Sequence, residues 1–186
     1  MTFNNTALVL IDWQQSFRID QDFWGPRNNP DAQPKAEALT KAWRTAGLPI
    51  YVVKHNSVGS ASPLRPDQPG NALEEFAQPQ EGEGLYEKTV NSGFIGTRLE
   101  ADLKAEGITQ LVISGVTTAH CVSTTTRMAA NLGFEVILVE DACFTHAAKG
   151  RDGAMISADT MHDTQVAALR DEFASIAQAS SIIESL

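Results

Sequence analysis

The chain has 186 residues, which is enough for one domain with a substantial core and too few to predict two. Hydrophobic residues make up 42% of the chain and charged residues 20%, a balance typical of globular rather than disordered proteins. The formal charge of −9 argues against nucleic acid as a partner, because phosphate binding needs a basic patch. We therefore expect a single domain over residues 1–186 whose partner is a small-molecule substrate.

The sequence also bears on location. No stretch approaches the roughly 20 consecutive apolar residues of a membrane span. The first five residues lack the basic segment and the apolar stretch of a signal peptide. Two cysteines, Cys121 and Cys143, are too few for a disulfide framework. These features predict a cytoplasmic protein with no membrane partner.

Strands and helices alternate along the chain. The first half predicts a strand at 7–11, a loop with up to one helical turn at 18–29, a helix at 34–46, a strand at 49–53, a short helix at 71–76 and a strand at 84–88. The second half predicts a helix at 97–106, a strand at 111–114, a helix at 119–132, a strand at 134–139, a helix at 153–172, a strand at 174–177 and a helix at 180–186. This alternation predicts a parallel α/β sheet with right-handed crossovers.

Three reactive side chains follow predicted strands directly or within a short turn: Asp12, Lys88 and Cys121. The carboxyl ends of parallel strands share one edge of a sheet, and ligands bind at that edge. Cys121 falls in the first turn of a predicted helix, where free N–H groups and the helix dipole are expected to lower the thiol pKa. Taken singly, Asp12 would more often be a helix cap and Cys121 a small buried hydrophobe. Together, an acid, a cation and a thiol are what acyl transfer through a thioester requires.

Three motifs carry a resemblance to a known family. They are Asp12-Trp13-Gln14 after the first strand, Glu87-Lys88 followed by Ser92-Gly93-Phe94, and Gly115-Val116-x-Thr118-x-x-Cys121-Val122. Spread over residues 7–173, they resemble the isochorismatase-like cysteine hydrolases. That superfamily also includes nicotinamidases and N-carbamoylsarcosine amidohydrolases.

The resemblance implies both a fold and a site. The fold would be a six-stranded parallel sheet of order 3-2-1-4-5-6, flanked by helices in three layers, and the assembly a homodimer or homotetramer. Asp12, Lys88 and Cys121 would form the catalytic triad, with a cis peptide bond between Val116 and Thr117. The backbone N–H groups of Thr117 and Cys121 are the predicted oxyanion hole. No cofactor is expected, because Asp12 would take the thiol proton and Lys88 would stabilise the resulting charges.

The sequence departs from the family pattern at two places. The family commonly has Asp or Glu after the Thr of its Gly-Val-x-Thr motif, and here that position is Ala119. Nicotinamidases carry an Asp-x-His…His metal cluster after the second strand, where this chain has Lys54-His55-Asn56-Ser57 and no second His in the loop. Since one His does not make a metal site, we expect no catalytic metal and disfavour a nicotinamidase.

Five residues are candidates for the substrate pocket: Trp13, Phe17, His55, Phe94 and His120. The aromatic side chains would form its walls, and the histidines would hold a polar group of the substrate. For the three aromatic residues an ordinary core position is slightly favoured over a pocket wall. For the two histidines an ordinary surface or hydrogen-bonded position is as well supported as substrate binding.

Three functions remain open from the sequence. The favoured one is a cysteine-dependent hydrolase of a small amide, ureide or carbamoyl compound. The second is hydrolysis of an enol ether, as in an isochorismatase, in which Asp12 and Lys88 would matter more than the thiol. The third is a redox-responsive thiol or binding protein that uses Cys121 with Cys143, although there is no Cys-x-x-Cys motif.

Overall fold

The computed structural model describes residues 3–186 and contains eight strands. They are β1 (Thr6–Ile11), β2 (Ile50–His55), β3 (Gly84–Lys88), β4 (Gln110–Val116), β5 (Glu135–Phe144), β6 (Ala148–Lys149), β7 (Met155–Ile156) and β8 (Ser175–Ala177). Six of them pair in parallel in the order β3-β2-β1-β4-β5-β8. This arrangement confirms the predicted six-stranded sheet, with β8 as its sixth strand.

Helices cover both faces of this sheet. They are α1 (Ser16–Ile19), α2 (Gln21–Trp24), α3 (Ala32–Thr45), α4 (Leu99–Ala105), α5 (Ser123–Asn131), α6 (Ala158–Leu169) and α7 (Ala179–Ile183). Two 3₁₀ turns cover Pro69–Asn71 and Glu75–Ala77, and a π-helical turn covers Thr118–Val122.

The core consists of two hydrophobic clusters, one on each face of the sheet. Helices α3 and α7 pack on one face through residues such as Trp43 and Ile182. Helices α4 and α6 pack on the other through Leu103 and Leu169, together with α5. Alternate residues of β1 enter opposite clusters, because successive side chains of a strand point to opposite faces. The result is the expected three-layer α/β architecture.

Several predicted boundaries are wrong. The helix predicted at 153–172 begins only at Ala158, because Ser157 caps it by accepting the Thr160 N–H, and β6 and β7 form a small antiparallel hairpin before it. The helix predicted from Ala119 starts instead as the π-helical turn, and regular α-helix begins at Ser123. The loop predicted at 18–29 with up to one helical turn contains the end of α1 and all of α2. The helix predicted at 71–76 is replaced by the two 3₁₀ turns.

Within residues 3–186, no helix is both long enough and apolar enough to cross a membrane.

Gly115 permits a close approach of the two central strands, and we expect Gly115→Ala to destabilise the protein. Gly115 pairs with Ile11, and a Cβ at Gly115 would lie 2.5 Å from the Ile11 carbonyl oxygen and 2.6 Å from its Cβ. Because backbone must shift to make room, the free energy of unfolding should fall by about 1–3 kcal/mol, as in other overpacked cores.

Urea denaturation followed by circular dichroism measures this change. Gly59→Ala is the matched control, since a Cβ there would approach the nearest atom, the Ser57 hydroxyl, only to 3.5 Å. Equal stabilities of the two variants would show that β1 and β4 have room to separate.

Candidate active site

Asp12 leaves β1 with a positive φ of 52°, a conformation that Asp tolerates better than most residues. Its N–H donates to the Val53 carbonyl (2.9 Å) and its carbonyl accepts the Gln14 N–H (2.7 Å). The side chain is buried, and its Oδ1 has no hydrogen-bond partner among the described residues. The backbone therefore holds a carboxylate at the sheet edge with one oxygen still available to a ligand or a proton.

Lys88, the last residue of β3, lies at the centre of the site. Its side chain is fully buried. The ammonium Nζ lies 2.7 Å from Asp12 Oδ2, 3.0 Å from His55 Nδ1 and 3.4 Å from Cys121 Sγ. An ammonium group has three N–H donors, so these three acceptors use them all.

Cys121 lies in the π-helical turn that follows β4. The peptide bond between Val116 and Thr117 is cis, as the resemblance implied. The Thr117 carbonyl then accepts the N–H groups of His120 (3.0 Å) and Val122 (3.2 Å), so the turn closes back on the end of the strand. Cys121 is half-buried and unpaired, which leaves its sulfur open to a substrate.

The expectation that the Cys121 thiol pKa is lowered is wrong. Burial raises the pKa of this thiol to about 12, the Asp12 carboxylate pushes it in the same direction, and Lys88 opposes both. The dipole argument assumed a regular helix from Ala119, but the turn here is a short π-helical one. The resting enzyme therefore holds a neutral thiol beside an Asp12–Lys88 ion pair.

The two candidate histidines take different positions. His55, at the end of β2, contacts the Lys88 ammonium. His120 is exposed beside Cys121, and its Nδ1 lies 3.0 Å from the Thr117 hydroxyl. His55 therefore belongs to the buried charge cluster, and His120 lies at the surface next to Cys121.

All three candidate aromatic residues are buried. Trp13 donates its indole N–H to the Ser114 hydroxyl (3.2 Å), and with Phe17 it lines a cavity of about 110 Å³. Phe94 stacks on Phe134 with ring centroids 6.1 Å apart, in the hydrophobic cluster that Cys121 also contacts. Each of these residues thus packs in the core close to a strand end or a loop of this edge.

A metal ion does not fit this site as it stands. Asp12, His55 and Cys121 present potential ligand atoms within 4.8 Å of one another. The Lys88 ammonium, however, lies within hydrogen-bonding distance of all three and already places a positive charge among them. A divalent cation would have to displace a fully buried lysine, at a large electrostatic cost.

The sequence interpretation missed a hydrogen bond that supports the π-helical turn carrying Cys121. His162 of α6 is buried, with Nδ1 2.9 Å from the Thr118 hydroxyl and Nε2 3.3 Å from Glu140. Glu140 in turn accepts a hydrogen bond from Gln178. His162 lies 44 residues from Thr118 in the chain, so no local pattern signals the contact.

Comparisons with known proteins agree with this fold and identify the family. Residues 6–179 match the model of the isochorismatase domain. An isochorismatase family protein of Bacillus subtilis, YrdC, is 40% identical over 95% of this chain and 94% of its own. The crystal structure of an isochorismatase-family protein from Chromobacterium violaceum has a TM-score of 0.92 and 42% identity, covering 99% of this chain and 95% of that one. The ureidoacrylate amidohydrolase RutB of Variovorax paradoxus is 40% identical over a shorter stretch, 39% of this chain and 28% of RutB.

Iodoacetamide labelling followed by mass spectrometry should modify Cys121 much faster than Cys143. Cys143 has no exposed surface, and burial raises the pKa of its thiol. Because the Cys121 pKa is raised to about 12, its labelling rate should keep rising between about pH 7 and pH 10 without a plateau. Faster labelling of Cys143, or a plateau near neutral pH, would contradict the electrostatics described.

We expect Lys88→Met to slow the labelling of Cys121 further and to destabilise the fold. The substitution leaves the Asp12 carboxylate buried without its cation, which typically costs about 3–5 kcal/mol of unfolding free energy. The double variant Asp12→Asn with Lys88→Met removes both charges and should recover most of that loss. Urea denaturation of the two variants checks this, and an unchanged stability of Lys88→Met would mean that the pair is not buried in solution.

Proposed function

The chain belongs to the isochorismatase family of hydrolases, and we propose that it cleaves a small amide, ureide or carbamoyl compound through a thioester on Cys121. The observation that carries the proposal is the single Lys88 ammonium that contacts both the Asp12 carboxylate and the Cys121 sulfur. The name of one relative, a ureidoacrylate amidohydrolase, points to the same bond type in that protein.

The reaction begins with a proton transfer from Cys121 to Asp12. The raised thiol pKa means that the sulfur is neutral until a substrate is bound, so a base must take its proton during attack. The free Oδ1 of Asp12 is the acceptor. Lys88 stabilises the negative charge that the sulfur carries once its proton has moved to Asp12. As the sulfur forms a bond to the substrate carbonyl carbon, the carbonyl π bond breaks and that charge passes to the carbonyl oxygen.

Backbone N–H groups stabilise the oxyanion that follows. Thr117 follows the cis peptide bond directly, and Cys121 lies in the π-helical turn that comes next. We propose the backbone N–H groups of these two residues as the donors. Loss of one such donor typically costs about 3 to 4 kcal/mol of transition-state stabilisation.

Collapse of the oxyanion breaks the carbon–nitrogen bond and leaves a thioester. Asp12, now protonated, returns its proton to the departing amine. A water molecule then attacks the thioester while Asp12 takes one of its protons. The acid or carbamate leaves, and the sulfur regains a proton from Asp12, which restores the neutral thiol. The cycle needs no cofactor, because every proton moves between Asp12, Cys121, the substrate and water.

The enol-ether alternative is favoured by one observation. The Asp12–Lys88 pair is assembled while the thiol is neutral, so base chemistry at Asp12, such as the activation of a water molecule, does not require a thiolate. The redox alternative finds less support, because Cys143 is fully buried and its sulfur accepts the Gly115 N–H at 3.3 Å. The homodimer or homotetramer and the cytoplasmic location stay predictions.

Cys121→Ala should reduce ammonia release from a panel of small amides, ureides and carbamoyl compounds to the background rate, while leaving the fold intact. Cys143→Ala is the matched control and should retain turnover, since its sulfur accepts the Gly115 N–H and makes no hydrogen bond to the proposed triad within residues 3–186. Near-normal turnover by Cys121→Ala would contradict the thioester mechanism and favour the enol-ether reaction. Loss of activity in Cys143→Ala with its fold intact would instead support a function that needs both thiols.

A further inference from the structure

His55 is held more firmly than a surface histidine needs to be. The backbone N–H of His55 donates to Gln14 Oε1 (2.9 Å). Its backbone carbonyl accepts from Gln14 Nε2 (3.0 Å) and from Asn71 Nδ2 (3.2 Å). Gln14 and Asn71 are themselves buried. Two separate loops thus fix the backbone of His55 at the end of β2, and with it the position of the imidazole.

The contact with Lys88 determines which ring nitrogen carries the proton. His55 Nδ1 lies 3.0 Å from the Lys88 ammonium, which can only donate. Nδ1 must therefore accept, so the ring is neutral with its proton on Nε2. A hydrogen bond to the backbone of Val90 favours a proton on the ring and raises the pKa of His55, against the effect of Lys88.

We propose that His55 is a positioning residue, whose Nδ1 takes one N–H of the Lys88 ammonium and leaves the other two directed at Asp12 and Cys121. The inference rests on the proposed cysteine chemistry. It replaces the expectation that His55 holds a polar group of the substrate, because the acceptor nitrogen is already occupied by the enzyme's own lysine.

The charges around His55 keep this arrangement intact near neutral pH. Burial lowers the pKa of His55, Lys88 lowers it further, and Asp12 opposes both, while the neighbouring Cys121 thiol is neutral. A proton on Nδ1 would remove the acceptor and place two cations in contact. Acid therefore disrupts the arrangement only below the lowered pKa, and the ring stays neutral above it.

Two substitutions separate positioning from substrate binding. His55→Asn places an amide oxygen about where Nδ1 lies and keeps an acceptor for Lys88, whereas His55→Leu offers a similar volume without one. We expect His55→Leu to lower kcat about 10- to 100-fold with little change in KM, the range typical of a lost hydrogen bond to a charged group. His55→Asn should recover most of that loss. A rise in KM alone, or equal defects in the two variants, would overturn the proposal.

A second measurement does not depend on turnover. Long-range ¹H–¹⁵N spectra of the four histidines, with His55 identified by its absence in His55→Asn, report the tautomer and midpoint of the ring in the folded protein. We expect the Nε2–H tautomer and a midpoint below the ordinary value, which Lys88→Met should raise. An Nδ1–H tautomer, or a midpoint that Lys88→Met leaves unchanged, would overturn the proposal. A failed amide panel with the expected spectra would instead count against the proposed function alone.

Discussion

The buried ion pair between the Lys88 ammonium and the Asp12 carboxylate is the interaction on which the rest of the site depends. Taking both charges out of water costs several kcal/mol per ion, and only close geometry with further hydrogen bonds offsets that cost. The 2.7 Å contact, the His55 acceptor and the Cys121 sulfur supply these interactions. The pair keeps the carboxyl group that we propose as the general base in the interior, next to the Cys121 sulfur.

The order of the strands makes this arrangement possible. Lys88, His55 and Asp12 stand at the ends of β3, β2 and β1, which are neighbours in the sheet, and Cys121 follows the next strand, β4. Adjacent strands lie about 4.8 Å apart, so Lys88 has to reach across the end of β2 to meet Asp12. His55 sits at the end of the strand that is crossed. Four residues that are scattered over more than a hundred positions of sequence thus form one row along the sheet edge.

The electrostatics of the thiol link structure to reactivity. The first turn of a long helix lowers the pKa of a cysteine thiol. Cys121, however, is partly buried and lies beside a carboxylate, so the pKa of its thiol is raised. In the proposed reaction, the nucleophile forms only as Asp12 takes its proton. The support of the turn by His162 and Thr118 fits that requirement, because proton transfer needs the sulfur to be held at a defined distance from the base.

The sequence by itself was sufficient for the sheet, its parallel strands and the placement of Asp12, Lys88 and Cys121 at strand ends. The strands could be predicted because a run of apolar residues is a local signal. The three residues could be placed because the family motifs have a characteristic spacing in the sequence. The tertiary structure alone decided the hydrogen-bond partner of His55, the support from His162 and the direction of the Cys121 pKa shift. Each of these depends on burial and on charges from other strands, which local patterns do not encode. The sequence predicted a helix dipole that lowers the pKa of the Cys121 thiol, whereas burial together with a carboxylate 109 residues away along the chain raises it.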